Sequence, residues 1–152
     1  MSESKPVKRL GEILLENGMI SQDQLDLALA DQKKNGGLLG EILVGWGYTT
    51  EEAIVQSLVR QYNFPTIRPA DVQPNDEVLK LIPKELAGRY SLLGLDLLYS
   101  VMTIAMSNPL DTEAVQVIEK QTGHKVKIFI CTYSEVLRGI EAHYQVRKPG
   151  ST

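Results

Sequence analysis

The sequence predicts an α+β protein: a four-helix, pseudo-symmetric double hairpin followed by a small ββαβα sandwich-like unit. Three observations carry this. A 24-residue pattern is written twice, without a gap, in the first 61 residues. Pro65, Pro69 and Pro74 then fall close together and break the helical pattern. Beyond them, short apolar runs alternate with helical spacing, as in small α+β units.

The repeat is close. Leu10-Gly11-Glu12-Ile13-Leu14 returns twenty-nine residues later as Leu39-Gly40-Glu41-Ile42-Leu43. Gly18 returns as Gly47, Leu29 as Leu58 and Gln32 as Gln61. Ser21 becomes Thr50 and Leu25 becomes Ile54, both conservative. Residues 9–32 and 38–61 agree at eight positions. A fixed period of this kind marks a repeated supersecondary unit whose copies bury a face against each other.

Taken in order, residues 1–8 are polar and expected to fray. Residues 9–17 carry apolar side chains at 10, 13 and 14, the spacing of a short amphipathic helix. Gly18 ends it, as glycine does where a helix must turn left-handed. Ser21 with Gln24 reads as an N-cap and capping box. The second helix runs to about residue 34, with Leu25, Ala28 and Leu29 as its buried stripe. Asn35-Gly36-Gly37 is a break. The second copy repeats the plan: a short helix over 39–44, a stop at Gly47, a cap at Thr49 or Thr50, and a long helix over 51–62. In that long helix Ile54, Val55 and Leu58 face inward.

The proline-rich stretch 65–75 precludes a long helix and is expected to be an extended linker. Residues 76–81 and 83–90 read as two short helices, the second with proline in its first turn. Residues 92–99 and 101–106 are apolar and read as two strands. A helix over 112–121 follows, with Ala114, Val115 and Ile118 inward and Gly123 as its stop. Residues 125–131 are a third strand, and Ser134 caps a last helix to about residue 144. The expected division is therefore 1–64, a tandem helical repeat; 65–75, a linker; 76–146, an α+β subdomain; and 147–152, a tail or linker.

Composition bounds the function. An apolar share of 43% over 152 residues supports a real core. A net charge of −3 argues against a non-specific nucleic-acid surface. The single cysteine, Cys131, cannot form an internal disulfide and fits a reducing compartment. It follows Ile128-Phe129-Ile130 and reads as a buried thiol. No apolar run reaches the ~18 residues of a membrane span and no signal peptide opens the chain. Membrane association is therefore expected only through a partner, with the protein cytoplasmic.

Several chemistries lack their residues. His124 and His143 have no cysteine or paired carboxylates at ligand spacing, so no metal is expected. There is no Gly-x-x-x-x-Gly-Lys-Ser/Thr phosphate loop and no Gly-x-Ser-x-Gly elbow, so no enzyme is expected. Trp46 stands where the first copy has Asn17, and it reads either as a core anchor or as an exposed docking aromatic.

The doubled Leu-Gly-x-x-Leu-x-x-x-Gly pattern, with its later leucines and its closing glutamine, resembles the N-terminal domain of type II secretion and type IV pilus assembly ATPases. Within that family it is similar to the subset that binds cyclic di-GMP through two tandem 24-residue motifs with a five-residue spacer, here residues 33–37. Arg9 opens the first motif as it does in that subset. Met106-Ser107-Asn108-Pro109-Leu110-Asp111 and Thr122-Gly123 resemble the companion α+β half, although Asn108 stands where many relatives carry an acidic residue.

The resemblance implies a bacterial regulatory domain with cyclic di-GMP as ligand, no further cofactor, and an ATPase domain in cis or in trans as partner. The site residues it implies are Arg9, Leu10, Gly11, Leu14, Leu25, Leu29 and Gln32 in the first copy. In the second they are Leu39, Gly40, Leu43, Ile54, Leu58 and Gln61. Their chemistry suits the ligand. Two copies of one hairpin offer two half-sites to a nucleotide that is itself doubled. The glycines admit close backbone approach at a helix start. The glutamines carry a donor and an acceptor for a guanine edge, and Arg9 can stack on a base or grip a phosphate. The leucines would offer apolar surface to ribose and base. A second reading stays open: a docking domain without nucleotide, which attaches such an ATPase to an inner-membrane platform protein. In the sensor reading, the 65–75 stretch is the candidate hinge.

Overall fold

The computed structural model describes residues 9–144. The expected frayed start (1–8) and tail (147–152) lie outside the described residues. The chain divides into two compact units, Met1–Phe64 and Pro65–Thr152.

The first unit is four helices: α1 (Leu10–Glu16), α2 (Gln22–Asn35), α3 (Leu39–Gly45) and α4 (Glu51–Tyr62). The short helices end alike. After α1, Gly18 adopts φ 72°, its N–H donates to the Leu15 carbonyl at 3.1 Å, and the Met19 N–H donates to Leu14 at 2.9 Å. After α3, Gly47 adopts φ 79°, with the matching bonds to Val44 at 3.0 Å and from Tyr48 to Leu43 at 2.9 Å. This is the paired closure that a glycine permits after a helix, formed twice. The long helices also start alike. Ser21 Oγ accepts from Gln24 N–H and Thr50 Oγ1 from Ala53 N–H, each at 3.1 Å. Only the first is completed into a box, by Gln24 Oε1 accepting from Ser21 N–H at 2.9 Å.

The core of this unit takes Leu10, Ile13, Leu14, Ile20, Leu25, Ala28, Leu43, Ile54 and Leu58. It also takes Ser57, at the repeat position of Ala28. Its hydroxyl donates to the Ala53 carbonyl at 2.9 Å and lies 3.0 Å from Met19 Sδ, so the polar group is buried with partners.

The second unit holds α5 (Asp76–Leu81), α6 (Lys84–Tyr90), β1 (Leu92–Leu98), β2 (Val101–Met106), α7 (Thr112–Thr122), β3 (Lys125–Ile130) and α8 (Tyr133–His143). The sheet order is β1-β2-β3. β1 and β2 form an antiparallel hairpin, and β3 joins β2 in parallel through α7. The hairpin turns at Tyr99 and Ser100, both with positive φ (53° and 68°). A bulge interrupts the pairing between Gly94 and Asp96. Gly94 has no space for a side chain, because Val78 of α5 and Ile82 just after that helix lie against it. Gly139 of α8 is likewise filled by Leu93. These close approaches bring helices onto the sheet and bury Leu92, Leu93, Leu95, Met102, Ile104, Met106 and Ile118. Cys131 is buried.

Two expectations need correction here. Residues 65–75 are not a free linker. Thr66 bridges to Ile130 in parallel; the Ile130 N–H donates to the Pro65 carbonyl at 2.8 Å and the Ile67 N–H to the Ile130 carbonyl at 3.2 Å. Ile67 and Val72 pack on the core, Pro69 opens a 3-10 turn to Asp71, and the Asn75 N–H donates to the Leu95 carbonyl at 3.1 Å. The stretch is extended, as prolines require, but it is sewn to the end of β3. The last helix is also capped two residues earlier than Ser134 implies. Thr132 is the N-cap: its Oγ1 accepts from Glu135 N–H at 3.1 Å and its own N–H donates to Glu135 Oε1 at 2.9 Å. The reciprocal Thr-x-x-Glu arrangement satisfies two main-chain donors at once, which a cap at Ser134 would forgo.

Candidate functional site

The two Leu-Gly corners, far apart in sequence, meet. A β-carbon built on Gly11 would lie 2.7 Å from Leu25 Cδ1 of its own hairpin and 3.3 Å from Leu39 Cδ2 of the other copy. A β-carbon on Gly40 would lie 3.4 Å from Ile54 Cδ1 of its own hairpin and 3.5 Å from Leu10 Cδ2 of the other copy. The pattern is reciprocal: each glycine receives the long helix of its own copy and the leucine of its twin. Glycine at these positions lets α1 and α3 approach closely, with a leucine tip filling the space a side chain would take.

The structure thus gathers Leu10, Gly11, Leu25, Leu39, Gly40 and Ile54 in one cluster. Leu10, Gly11, Leu25 and Ile54 are buried, and Leu39 and Gly40 are half-buried. Leu14, Leu43 and Leu58 are fully buried core residues of the same unit. Gln32 is half-buried and Gln61 exposed. Arg9 is exposed, as the N-cap residue of α1. Its N–H donates to Glu12 Oε1 at 3.2 Å, half of a capping box, since a guanidinium has no acceptor to complete it. Leu29 departs from expectation: it is 43% exposed, whereas its twin Leu58 is fully buried. The buried face of α2 is narrow and centred on Leu25 and Ala28, which leaves Leu29 on its rim.

The two glutamines are not equivalent. Gln32 Nε2 donates to the Gly37 carbonyl at 3.0 Å, inside the spacer between the copies. Asn35 Nδ2 donates to Asp31 Oδ1 at 2.7 Å on the same last turn of α2. Trp46 is the C-cap residue of α3. It is 44% exposed and meets Tyr48 edge-on, with ring centroids 5.7 Å apart. It is not a core anchor. In the second unit, Asn108 Oδ1 accepts from Leu110 N–H at 3.2 Å and its carbonyl from Asp111 N–H at 3.1 Å. That turn starts α7, which Asp111 caps through Ala114 N–H at 3.0 Å. One group shows a perturbed acidity: burial pushes the Tyr144 hydroxyl up to about 12, and it donates to the Ile82 carbonyl at 2.7 Å.

A family model described as the MshEN domain matches residues 62–150. The type IV pilus assembly ATPase PilB of Myxococcus xanthus (strain DK1622) is 30% identical over 141 residues, which cover 93% of this chain and 25% of that protein. The chain spans a quarter or less of the curated pilus ATPases it matches. A solved structure of MshE with cdg (cyclic di-GMP) is similar at 29% identity and a TM-score of 0.66, covering 90% of this chain and 99% of that one. The N-terminal domain of XpsE is similar in fold, with a TM-score of 0.73 at 17% identity, over 93% of this chain and 97% of that one.

Proposed function

Because the chain belongs to the MshEN domain family, we propose that it is a cyclic di-GMP-binding regulatory domain that acts on a secretion or type IV pilus assembly ATPase. The single observation that carries this reading is its likeness to MshE solved with that nucleotide. The match covers 90% of the chain and so includes most of the doubled hairpin as well as the second unit. The reciprocal Leu-Gly corners support it: a two-fold ligand suits a cluster whose halves are related in the same sense. Arg9 and Gln61 stand exposed at the two copies and are available for polar contact. Of the apolar members, Leu39 is half-buried and keeps surface that a base or ribose could cover, while Leu10, Leu25 and Ile54 are buried beneath it. The ligand regulates by binding one arrangement of the domain more tightly than another, and only that difference in affinity does work on an attached motor.

A second reading, a docking domain without nucleotide, is favoured by one observation. Leu10 and Gly11 are already buried by protein, with leucine tips occupying the glycine faces. Isothermal titration with cyclic di-GMP separates the two. Heat of binding together with a rise in melting temperature supports the sensor; a Kd near 1 μM adds roughly 2.7 kcal/mol of stability at a hundredfold ligand excess. Neither heat nor shift at about 100 μM nucleotide leaves the docking reading standing.

A further inference from the structure

The second unit leaves half of one sheet face bare. Residues paired across a ladder share a face, and alternate residues along a strand return to it. Leu98, Val101 and Lys125 therefore form one row beside the hairpin turn, and Asp96, Thr103 and Lys127 form the next. Leu93 and Ala105 lie further along the same face. They are buried, and Leu93 fills the space at Gly139 of α8. Toward the turn the cover ends: Leu98 is 61% exposed, Val101 40% and Tyr99, at the apex, 91%.

The turn itself does not call for these residues. Tyr99 and Ser100 both sit at positive φ, 53° and 68°, where a two-residue hairpin turn is unstrained with Asn-Gly or Gly-Gly. An aromatic residue there costs local strain, and its ring is left almost wholly in solvent. The charges beside it are mostly lysines. The Lys125 ammonium lies 3.8 Å from Glu119 Oε1, and that of Lys127 stands 5.4 Å from the centre of the Phe129 ring. Lys120 is exposed on the last turn of α7, which leads into the same corner through Gly123 and His124. Two carboxylates share these elements. Glu119 is engaged, since it accepts from the Val126 N–H at 3.2 Å, and Asp96 stands one row back from the turn.

We propose that this hairpin tip is a contact for an anionic lipid surface. Leu98, Tyr99 and Val101 enter the headgroup region, and Lys120, Lys125 and Lys127 meet the phosphates. Tyrosine suits that depth, with its apolar body and polar end. Lysine stems lie along apolar surface while their heads stay in water. Size favours a bilayer over a protein. Three apolar side chains cover far less than the ~800 Å² that each side of a stable protein interface buries, whereas a lipid surface takes up small apolar groups assisted by basic residues. No helix among the described residues is long and apolar enough to cross a membrane, and a surface contact needs none. It adds a direct contact to the association expected through a partner, and it does not depend on the nucleotide reading.

Cosedimentation of the 152-residue chain with vesicles tests this. Binding to phosphatidylglycerol vesicles is expected, weakened by salt and much weaker on phosphatidylcholine. Tyr99→Asn combined with Ser100→Gly relieves the turn, so the melting temperature should hold or rise. Vesicle affinity should nevertheless fall about tenfold, the scale of burying part of one large side chain. Lys125→Gln should cost about fivefold on the anionic vesicles alone. Depth is read from Tyr99→Trp in a Trp46→Phe chain, whose emission should be quenched by brominated acyl chains. Absence of binding to phosphatidylglycerol overturns the proposal and leaves the tip to a protein partner. Binding that survives the double tip variant, or that is equal on the two lipids, overturns it too, as does an indole that brominated chains fail to quench.

Discussion

Leu25 fills the space that a side chain on Gly11 would need: a β-carbon there would sit 2.7 Å from Leu25 Cδ1, while the matching gap from Gly40 to Ile54 Cδ1 is 3.4 Å. The two halves of the repeat are therefore alike in plan but packed to different tightness.

That difference sets opposite outcomes for one substitution. Gly11→Ala forces a buried leucine to move, and overpacking outweighs the gain in helix propensity, so a net loss of about 1 kcal/mol is expected. Gly40→Ala meets only ordinary contacts and should be neutral or stabilising by a few tenths of a kcal/mol. Urea unfolding of the two variants measures both.

Arg9→Ala should weaken cyclic di-GMP by about tenfold, the scale of a charge-assisted contact, and leave stability within about 0.5 kcal/mol. The side chain is exposed and takes no part in the core. Calorimetric titration with a parallel melting curve checks both halves. Unchanged affinity would move the polar contact elsewhere.

Thr132→Ala removes a capping box at the start of α8 and should cost about 1 kcal/mol. The loss should appear as a lower urea midpoint without loss of helix elsewhere by circular dichroism.

Tyr144 ties stability to alkaline pH. Its folded pKa, about 12, lies above the ordinary value of 10.0. The folded state thus keeps its proton where the unfolded chain has lost it. The contribution of Tyr144 is whole below pH 10 and drains away as pH rises toward 12. In Tyr144→Phe that part of the alkaline loss should vanish, at a cost of about 1 kcal/mol near neutrality for the bond to the Ile82 carbonyl. Melting temperatures of both proteins from pH 8 to 11 (about the accessible range) give the comparison.

The helices of the first unit were legible because their signals are local. Gly18 and Gly47 mark the stops, Ser21 and Thr50 the starts, and the repeat doubles each signal. Burial was less legible. Leu25 and Leu29 satisfy the same helical spacing, yet only a neighbouring helix decides how wide the covered arc is, and α2 leaves Leu29 outside it. The meeting of Leu10 with Gly40, and of Leu39 with Gly11, is tertiary and leaves no mark in either copy alone. In the second unit the prolines at 65, 69 and 74 correctly forbade a long helix, leaving only the short 3-10 turn Pro69–Asp71. What they could not reveal was that Pro65 and Ile67 would bond to Ile130, a partner more than sixty positions away. Thr132 and Glu135 form a Thr-x-x-Glu pair as visible in the sequence as Ser134, and the reciprocal bond is what selects it. The family model matches the second unit, whereas the doubled motif lies in the first. The two lines of evidence therefore come from different residues.

The seam that joins Pro65 to β3 shortens the tether between the units. α4 holds the chain up to Tyr62, and Pro65 is already bonded to Ile130, so only Asn63 and Phe64 lie between anchored ground on either side. Those three peptide steps reach about 10 Å at full stretch. Residues inserted between Asn63 and Phe64 would therefore add slack where the native chain leaves almost none.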